Sequence, residues 1–299
     1  MDWDDLKIAH AIARRGSLSA AARALGTTQP TVSRRLSALE GRIGVKLFER
    51  GAAGLSPSKL CAVLIESLDQ MEEQAQAVER RIAARDTGLQ GAITVTSLAW
   101  FGDDILAPLL ARFCARHRLV TVDLINDPRR FNLFRREADV AVRIGMFDRD
   151  ELVERKVADV SYGLYASPRY LHRYGRPDFA KQCAGHRVAS LCESPAKVVH
   201  TEWLKAIASR AHVVLRTNGI QSHVAAVGAG EAIAVLPRVM GDRQPEFVRI
   251  EPPLPEPFQP VKIGVHADMR DTPRIRSLID FLVRELKART AELNPGQSA

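Results

Sequence analysis

None of the four cysteines, Cys61, Cys114, Cys183 and Cys192, stands at CxxC spacing from another. Thiols scattered in this way fit reduced, structural side chains better than a disulfide framework. No apolar run approaches the ~20 residues that a membrane-crossing helix needs. The opening "MDWDD" is acidic and carries no apolar signal region, so the expected location is cytoplasmic, with no membrane partner. Catalytic signatures are missing as well: there is no GxSxG, HExxH, P-loop or GxGxxG. "VGAGEA", residues 227–232, is the nearest glycine pattern, but it follows a helix-like segment, the wrong order for a nucleotide fingerprint. The eight histidines include no pair at metal-ligand spacing beside suitable carboxylates. These absences argue against an enzyme, a metal and an organic cofactor. Cys183 and Cys192, with His186 and Arg187 between them, are the one redox candidate, and no flanking motif clearly activates either thiol.

What is present is unevenly distributed. Of 299 residues, positions 1–60 hold 10 Lys/Arg against 5 Asp/Glu, and positions 61–90 hold 3 against 6. A compact head of net charge +5 suits a polyanion. The pattern within the head is helical. "WDDLKIAHAIARRG" places Leu6, Ile8, Ala9 and Ile12 on one stripe and closes on Gly16. "SLSAAARALG" opens on Ser17 as a cap and stops at Gly26. Thr28 is expected to cap a third helix, in which Pro30 falls early enough for its missing N–H to cost nothing. Val32, Leu36 and Leu39 form its buried side, which leaves Thr31, Ser33, Arg34 and Arg35 mainly outside. Two short helices joined by a tight turn, the second presenting polar groups at its start, predict a helix-turn-helix. "IGVKLFERGAAGLSP" then predicts a wing.

From Ser58 to about Asp86 neither proline nor glycine interrupts the chain. Leu64, Leu68, Met71, Ala75, Val78 and Ile82 recur at alternating spacings of four and three, a coiled-coil seam that predicts a dimer; the plainer alternative is a long helix packed on its own chain. After "TGLQG" short Val/Ile-rich segments alternate with helical ones: "AITVTSL", "DDILAPLLARFCARH", "VTVDLIN", "DVAVRIG", "VSYGLYAS", "HRVASL", "HVVLRT", "IQSHVAAVGAG", "EAIAVLP", "PVKIGVHA" and a final helix over 272–293. This predicts an α/β domain with largely parallel sheets, long enough for two lobes and a cleft. The proline-dense "EPPLPEPFQP", 251–260, reads as a connector or edge loop.

These residues carry a resemblance. "GSLSAAARALGTTQPTVSRRLSALEGRIGVKLFER", residues 16–50, resembles the signature of the LysR-type transcriptional regulators: a Gly-Ser turn, an Ala-Ala pair, Gln-Pro opening the recognition helix, then Ser-Arg, Leu-Glu and a closing Leu-Phe-x-Arg. "DVAVRIG", "VGAGEAIAVLP" and "PRIRSLIDFLVREL" are similar to segments of the family's effector domain. The resemblance implies a winged helix-turn-helix over 1–58, a linker and dimerisation helix over 59–90, and a two-lobed, periplasmic-binding-protein-like effector domain over 91–299. The chain would cross between lobes near 163 and return near 265. It implies a sequence-specific regulator of transcription with double-stranded DNA, a small-molecule effector and a second copy of itself as partners. A tetramer through the effector domains and contact with RNA polymerase extend that list.

The implied DNA-facing residues are Ser17, Thr28, Gln29, Pro30, Thr31, Ser33 and Arg34, with Arg50 on a phosphate. Gln29 and Arg34 suit bidentate contacts with adenine and guanine edges. The implied effector site gathers Ser97, Leu98, Trp100, Phe101, Arg143, Thr217 and Asn218. Arg143 there faces an anion or is tied to an acid within the fold, and Trp100 with Phe101 forms an aromatic wall or lobe packing. Two departures stand out. The wing reads "GAAG", with Ala52 and Ala53 where a basic residue is usual, so its phosphate grip should be weaker. The next stretch runs Pro57, Ser58, Lys59, Leu60, Cys61, which keeps Ser58 as a cap but puts a cysteine where glycine is usual. The competing assignment is a solute-binding or enzymatic α/β module fused to a helical adaptor.

Overall fold

A computed structural model describes residues 2–51, 54–84, 89–126, 138–145, 147, 152–192 and 198–295. The chain divides into two compact units, Met1–Ile82 and Ala83–Ala299.

In the first unit α1 (Trp3–Arg15) is capped by Asp2, and α2 (Leu18–Ala24) by Ser17, whose Oγ accepts the Ala20 N–H at 3.2 Å. α3 (Gln29–Ile43) starts at Thr28, but the expected cap bond is absent: the Thr28 hydroxyl pairs with Thr31 Oγ1 at 2.9 Å instead. A side-chain hydroxyl one turn ahead competes with the backbone amide for the same oxygen. Gly44, at φ +72°, takes the left-handed position that ends α3 and turns the chain into the wing. That wing is the antiparallel pair β1 (Phe48–Gly51) and β2 (Gly54–Pro57); Ala52 and Ala53 lie outside the described residues. α4 (Lys59–Ala84) follows, and Ser58 Oγ accepts the Cys61 N–H at 3.2 Å.

Ile8, Ile12, Ala21, Val32, Leu36, Leu39, Leu47, Phe48 and Cys61 form one core, with Leu64 packed against it. Leu68 is buried too, at 5% exposure. Of the expected dimer seam, Leu64 is thus half-buried against this core and Leu68 is buried within its own chain. Only further along do Met71 and Val78 emerge, 43% and 56% exposed, with Ala75 half-buried between them. The Ile82 side chain lies outside the described residues.

The second unit is built on a nine-stranded sheet in the order β4-β3-β5-β11-β6-β9-β7-β8, with β10 added on β6. The strands are β3 (Gly91–Ser97), β4 (Val120–Asn126), β5 (Val140–Ile144), β6 (Leu152–Ala166), β7 (Arg187–Leu191), β8 (His212–Thr217), β9 (Ile233–Pro237), β10 (Val248–Ile250) and β11 (Phe258–His266). The helices are α5 (Ala99–Phe101), α6 (Ala107–Arg116), α7 (Pro168–Tyr174), α8 (Val199–Ala208), α9 (Ile220–Gly228), α10 (Arg238–Gly241), α11 (Pro273–Ala288) and α12 (Thr290–Leu293). The sheet is mixed rather than largely parallel. β3, β4 and β5 pair in parallel, as do β7, β8 and β9, but β6 and β11 pair antiparallel to their neighbours.

β6 is the strand shared by both halves. It pairs with β11 from Leu152 through Ser161 and with β9 from Tyr162. The return comes earlier than residue 265, between Ile250, still on β6 in the second half, and Phe258, opposite Ser161. Prolines 252, 253, 255 and 257 cannot donate to a ladder, which keeps that stretch out of the sheet. Pro260 is nevertheless inside β11, two residues past where the connector ends, beside the register shift at Val261/Lys262.

Between α5 and α6 the helix widens to a π-turn over Gly102–Leu106. Pro108 has no N–H to give and its ring crowds the preceding turn, so the local widening accommodates it. A Cβ at Gly102 would lie 1.8 Å from Asn126 Oδ1, so any larger residue here would displace the Asn126 side chain.

Candidate functional site

The face that α3 presents is sorted by one acid. Asp5, buried on α1, accepts from Arg35 at 3.1 Å and also from Arg42. The Arg42 bond above all holds the Asp5 carboxyl below the usual range, against the opposing effect of burial. Arg35, expected outside, is thus turned back into the head, because an acid buried beneath it needs a counter-charge. Arg34 is exposed and makes no ion pair among the described residues. Gln29 is exposed, its Oε1 accepting from Ser19 Oγ at 3.3 Å, which ties the start of α3 to α2. Ser17, Thr28 and Pro30 are exposed, and Thr31 and Ser33 half-buried. Arg50 sits on β1 opposite Leu55, and its side chain lies outside the described residues.

Glu40 joins α3 to the wing. Its carboxylate accepts the Leu47 and Phe48 N–H groups at 2.9 and 3.3 Å and the Lys46 ammonium at 2.7 Å. Burial raises its pKa, but those three donors outweigh burial and the net shift is downward.

In the second unit the register shows where the two halves open toward each other. β5 ends beside Pro260, since the Gly145 N–H bonds the Pro260 carbonyl at 2.8 Å. β9 ends at Pro237, opposite Tyr162. The carboxyl ends of the parallel strands in both halves therefore converge on residues 160–162 of β6, the position where α/β sheets take ligands. Gln221 Nε2 on α9 donates across the halves to Asp104 Oδ2 on the π-turn, at 3.4 Å. Burial, then the neighbouring Asp103, raises the Asp104 pKa.

Bacterial helix-turn-helix regulatory proteins of the lysR family match residues 3–61, and the LysR substrate binding domain matches residues 86–287. The chain belongs to the LysR family. It is a DNA-binding transcriptional regulator with a substrate-binding domain. The regulator CrgA of Neisseria meningitidis serogroup C is 28% identical over 95% of this chain and 96% of its own. A solved structure of CrgA from Neisseria meningitidis superposes with a TM-score of 0.58 at 24% identity, covering 96% of this chain and 99% of that one. A transcriptional regulator of Xanthomonas campestris pv. campestris is 30% identical over 64% of this chain and 55% of its own. Full-length CbnR in complex with its target DNA shares the fold, with a TM-score of 0.58 at 18% identity over 95% of this chain and 100% of that one.

In this LysR-family regulator the sequence-predicted effector residues separate. Ser97, fully buried at the end of β3, has a hydroxyl with no partner among the described residues. Leu98 is half-buried, while Trp100 and Phe101 are core residues packed edge to face at 5.3 Å. Thr217 ends β8, where its Oγ1 accepts the Gly219 N–H at 3.2 Å, and Asn218 is exposed beside it. Arg143 lies with Thr96 on the sheet face opposite Val140, Val142 and Ser97. It donates to Thr96 Oγ1 at 3.1 Å and to the Val142 carbonyl at 3.3 Å, meets no carboxylate among the described residues, and has its pKa lowered by burial.

Two histidines escaped the sequence analysis. His200 on α8 and His223 on α9 are buried, and His200 stacks on Tyr162 at 4.5 Å. The signal was present for His223, which shares the stripe of Ile220 and Val227 on α9; a polar ring on an apolar stripe calls for a partner. Cys183 is buried and its thiol is pushed up by burial to about 11, so it keeps its proton at neutral pH.

Proposed function

We propose that this regulator reads operator DNA with the exposed start of α3, and that a small effector bound where the two halves of the second unit converge modulates it. The observation that carries the first part is the division of labour among the α3 arginines. Asp5 engages Arg35 and Arg42 and leaves Arg34, exposed like Gln29, as the α3 arginine available to a base edge. Ser17, Thr28, Pro30, Thr31 and Ser33 surround that pair, and Arg50 is assigned to a phosphate. Ser97 at the end of β3, with Thr217 and Asn218 at the end of β8, supports the second part, since both strand ends border the convergence on β6. Arg143 borders the same region from the other face of the sheet.

Self-association through the far part of α4, where Met71 and Val78 are exposed, makes the working form at least a dimer, with a tetramer through the effector domains as the larger assembly. RNA polymerase is the further protein partner, and the setting is cytoplasmic. No helix among the described residues is long and apolar enough to cross a membrane.

The test is fluorescence anisotropy with a duplex from upstream of the protein's own gene against a scrambled duplex of equal length. A salt-dependent preference for the upstream duplex is the expected outcome. Equal binding of both would favour an α/β ligand-binding module that uses its helical head for another purpose.

A further inference from the structure

His200 and His223 are 8% and 2% exposed, and none of their four ring nitrogens finds a hydrogen-bond partner among the described residues. The Gln259 amide lies beside His200, and the backbone of Ser190 and Val235 beside His223, without hydrogen-bonding geometry in either case. Buried polar groups in native proteins are nearly always paired, and a core of this kind would pack better with Leu or Phe at both positions. We infer that this pair reads the effector, and that the effector is a small molecule presenting an uncharged hydroxyl to it. The inference rests on the effector role proposed above for the same region.

The surroundings select the chemistry. The Tyr162 ring stacks on His200 with 20° between the planes, and its hydroxyl donates to Gln259 Oε1 at 3.2 Å. Gln259 lies three residues along β11 from Lys262, the register partner of Arg143. The side chains recorded around His200 are thus Tyr162 and Gln259, both uncharged. Arg143 is engaged with Thr96 and a carbonyl. Burial also holds the imidazoles neutral, with the pKa of His200 brought down to about 4. A neutral imidazole offers one donor and one acceptor, the complement of a hydroxyl. A carboxylate here would be desolvated with no cation to meet it. A metal ion would need a third ligand, and no group of three or more His, Cys, Asp or Glu suited to a metal occurs among the described residues. The flat Tyr162–His200 stack favours an aromatic body for the hydroxyl.

The experiment uses the full-length protein with phenol, catechol and benzyl alcohol as probes. Anisole, which lacks the donor, benzoate, which adds a charge, and Zn²⁺ are the contrasts. The variants His200→Phe and His223→Phe keep bulk and remove the nitrogens. Without any probe their melting temperatures should equal the wild type or exceed it by about 2–4 °C, as when an unpaired buried polar group is replaced. At least one hydroxyl probe should raise the wild-type melting temperature and bind by calorimetry. Anisole and benzoate should bind about tenfold more weakly, and each variant should lose about tenfold for the hydroxyl probe. A fall of several degrees in both variants would mean that the histidines are satisfied structural groups. Stabilisation of the wild type alone by Zn²⁺ would make them metal ligands. Preference for benzoate, lost in Arg143→Ala, would keep an effector cleft and overturn the hydroxyl class. Binding of no probe, neutral or anionic, would overturn the effector role as well as the inference.

Discussion

His10 Nε2 lies 2.7 Å from Asp69 Oδ1, joining α1 to α4 inside the first unit. The other ring nitrogen is 3.3 Å from Glu72 Oε2, and Arg14 closes on Asp69 from the next turn of α1. Asp69 is buried enough for that to raise its pKa, yet the bonds from His10 and Arg14 outweigh it and the shift is downward. His10→Leu should destabilise the first unit by about 1–3 kcal/mol, because it removes the buried imidazole that meets Asp69 and Glu72. Calorimetric unfolding of the intact chain should show the first unit's transition moving down. An unmoved transition would make the bridge dispensable.

The recognition face predicts two distinct mutant behaviours. Gln29→Ala and Arg34→Ala should each cost about 1–3 kcal/mol on the preferred duplex with little change on a scrambled one. Arg50→Ala should weaken both duplexes alike and lower the salt slope by about one. Anisotropy titrations at several salt concentrations separate these cases. Should Arg34→Ala lower both affinities in proportion, Arg34 holds the backbone and base reading falls to Gln29.

α4 should divide into two functional stretches. Leu68→Ala removes a side chain buried within its own chain and should cost about 2–5 kcal/mol of stability. Met71→Asp with Val78→Asp changes exposed positions and should leave urea stability nearly unchanged while shifting sedimentation toward smaller species. A double variant that sediments like the wild type would remove this stretch from the interface.

Acidification should weaken the second unit before the head. His200 has a folded-state pKa of about 4, below the ordinary value of 6.5, because of burial first and His223 second. Between those two values the unfolded chain binds the extra proton, so stability falls as pH falls from about 6.5 toward 4. The full loss is about 3 kcal/mol for this one group, at ~1.4 kcal/mol per pH unit. Denaturant titrations at pH 7, 6, 5 and 4 should show this slope in the wild type and a flatter one in His200→Phe.

The head should respond lower on the pH scale. Asp5 and Glu40 have depressed folded-state values, so their contribution is present above the ordinary carboxylate range and is lost as pH falls through it. Asp5→Asn should flatten the acid limb of the head's unfolding below about pH 4 and release Arg35. A limb as steep as the wild type's would assign the acid loss to other carboxylates.

The sequence by itself determined what depends on neighbours along the chain. Ser17 and Ser58 cap the helices that follow them, Gly44 closes α3, and Val32, Leu36 and Leu39 face inward because helical periodicity leaves them no other side. The same local logic located most strands. Tertiary structure alone decided what depends on residues far apart in the chain. The spacing of Leu64 fits a second copy and a head domain equally well, and only the packed core shows that the head reaches it. Arg34 and Arg35 are adjacent and chemically identical; Asp5, thirty positions away, engages one and leaves the other. α8 opens at Val198 with no capping side chain, so nothing local marks the helix that carries His200. Its pairing with His223 and Tyr162 exists only because β6 and β11 bring separate segments to one point, and periodicity carries no record of such convergence.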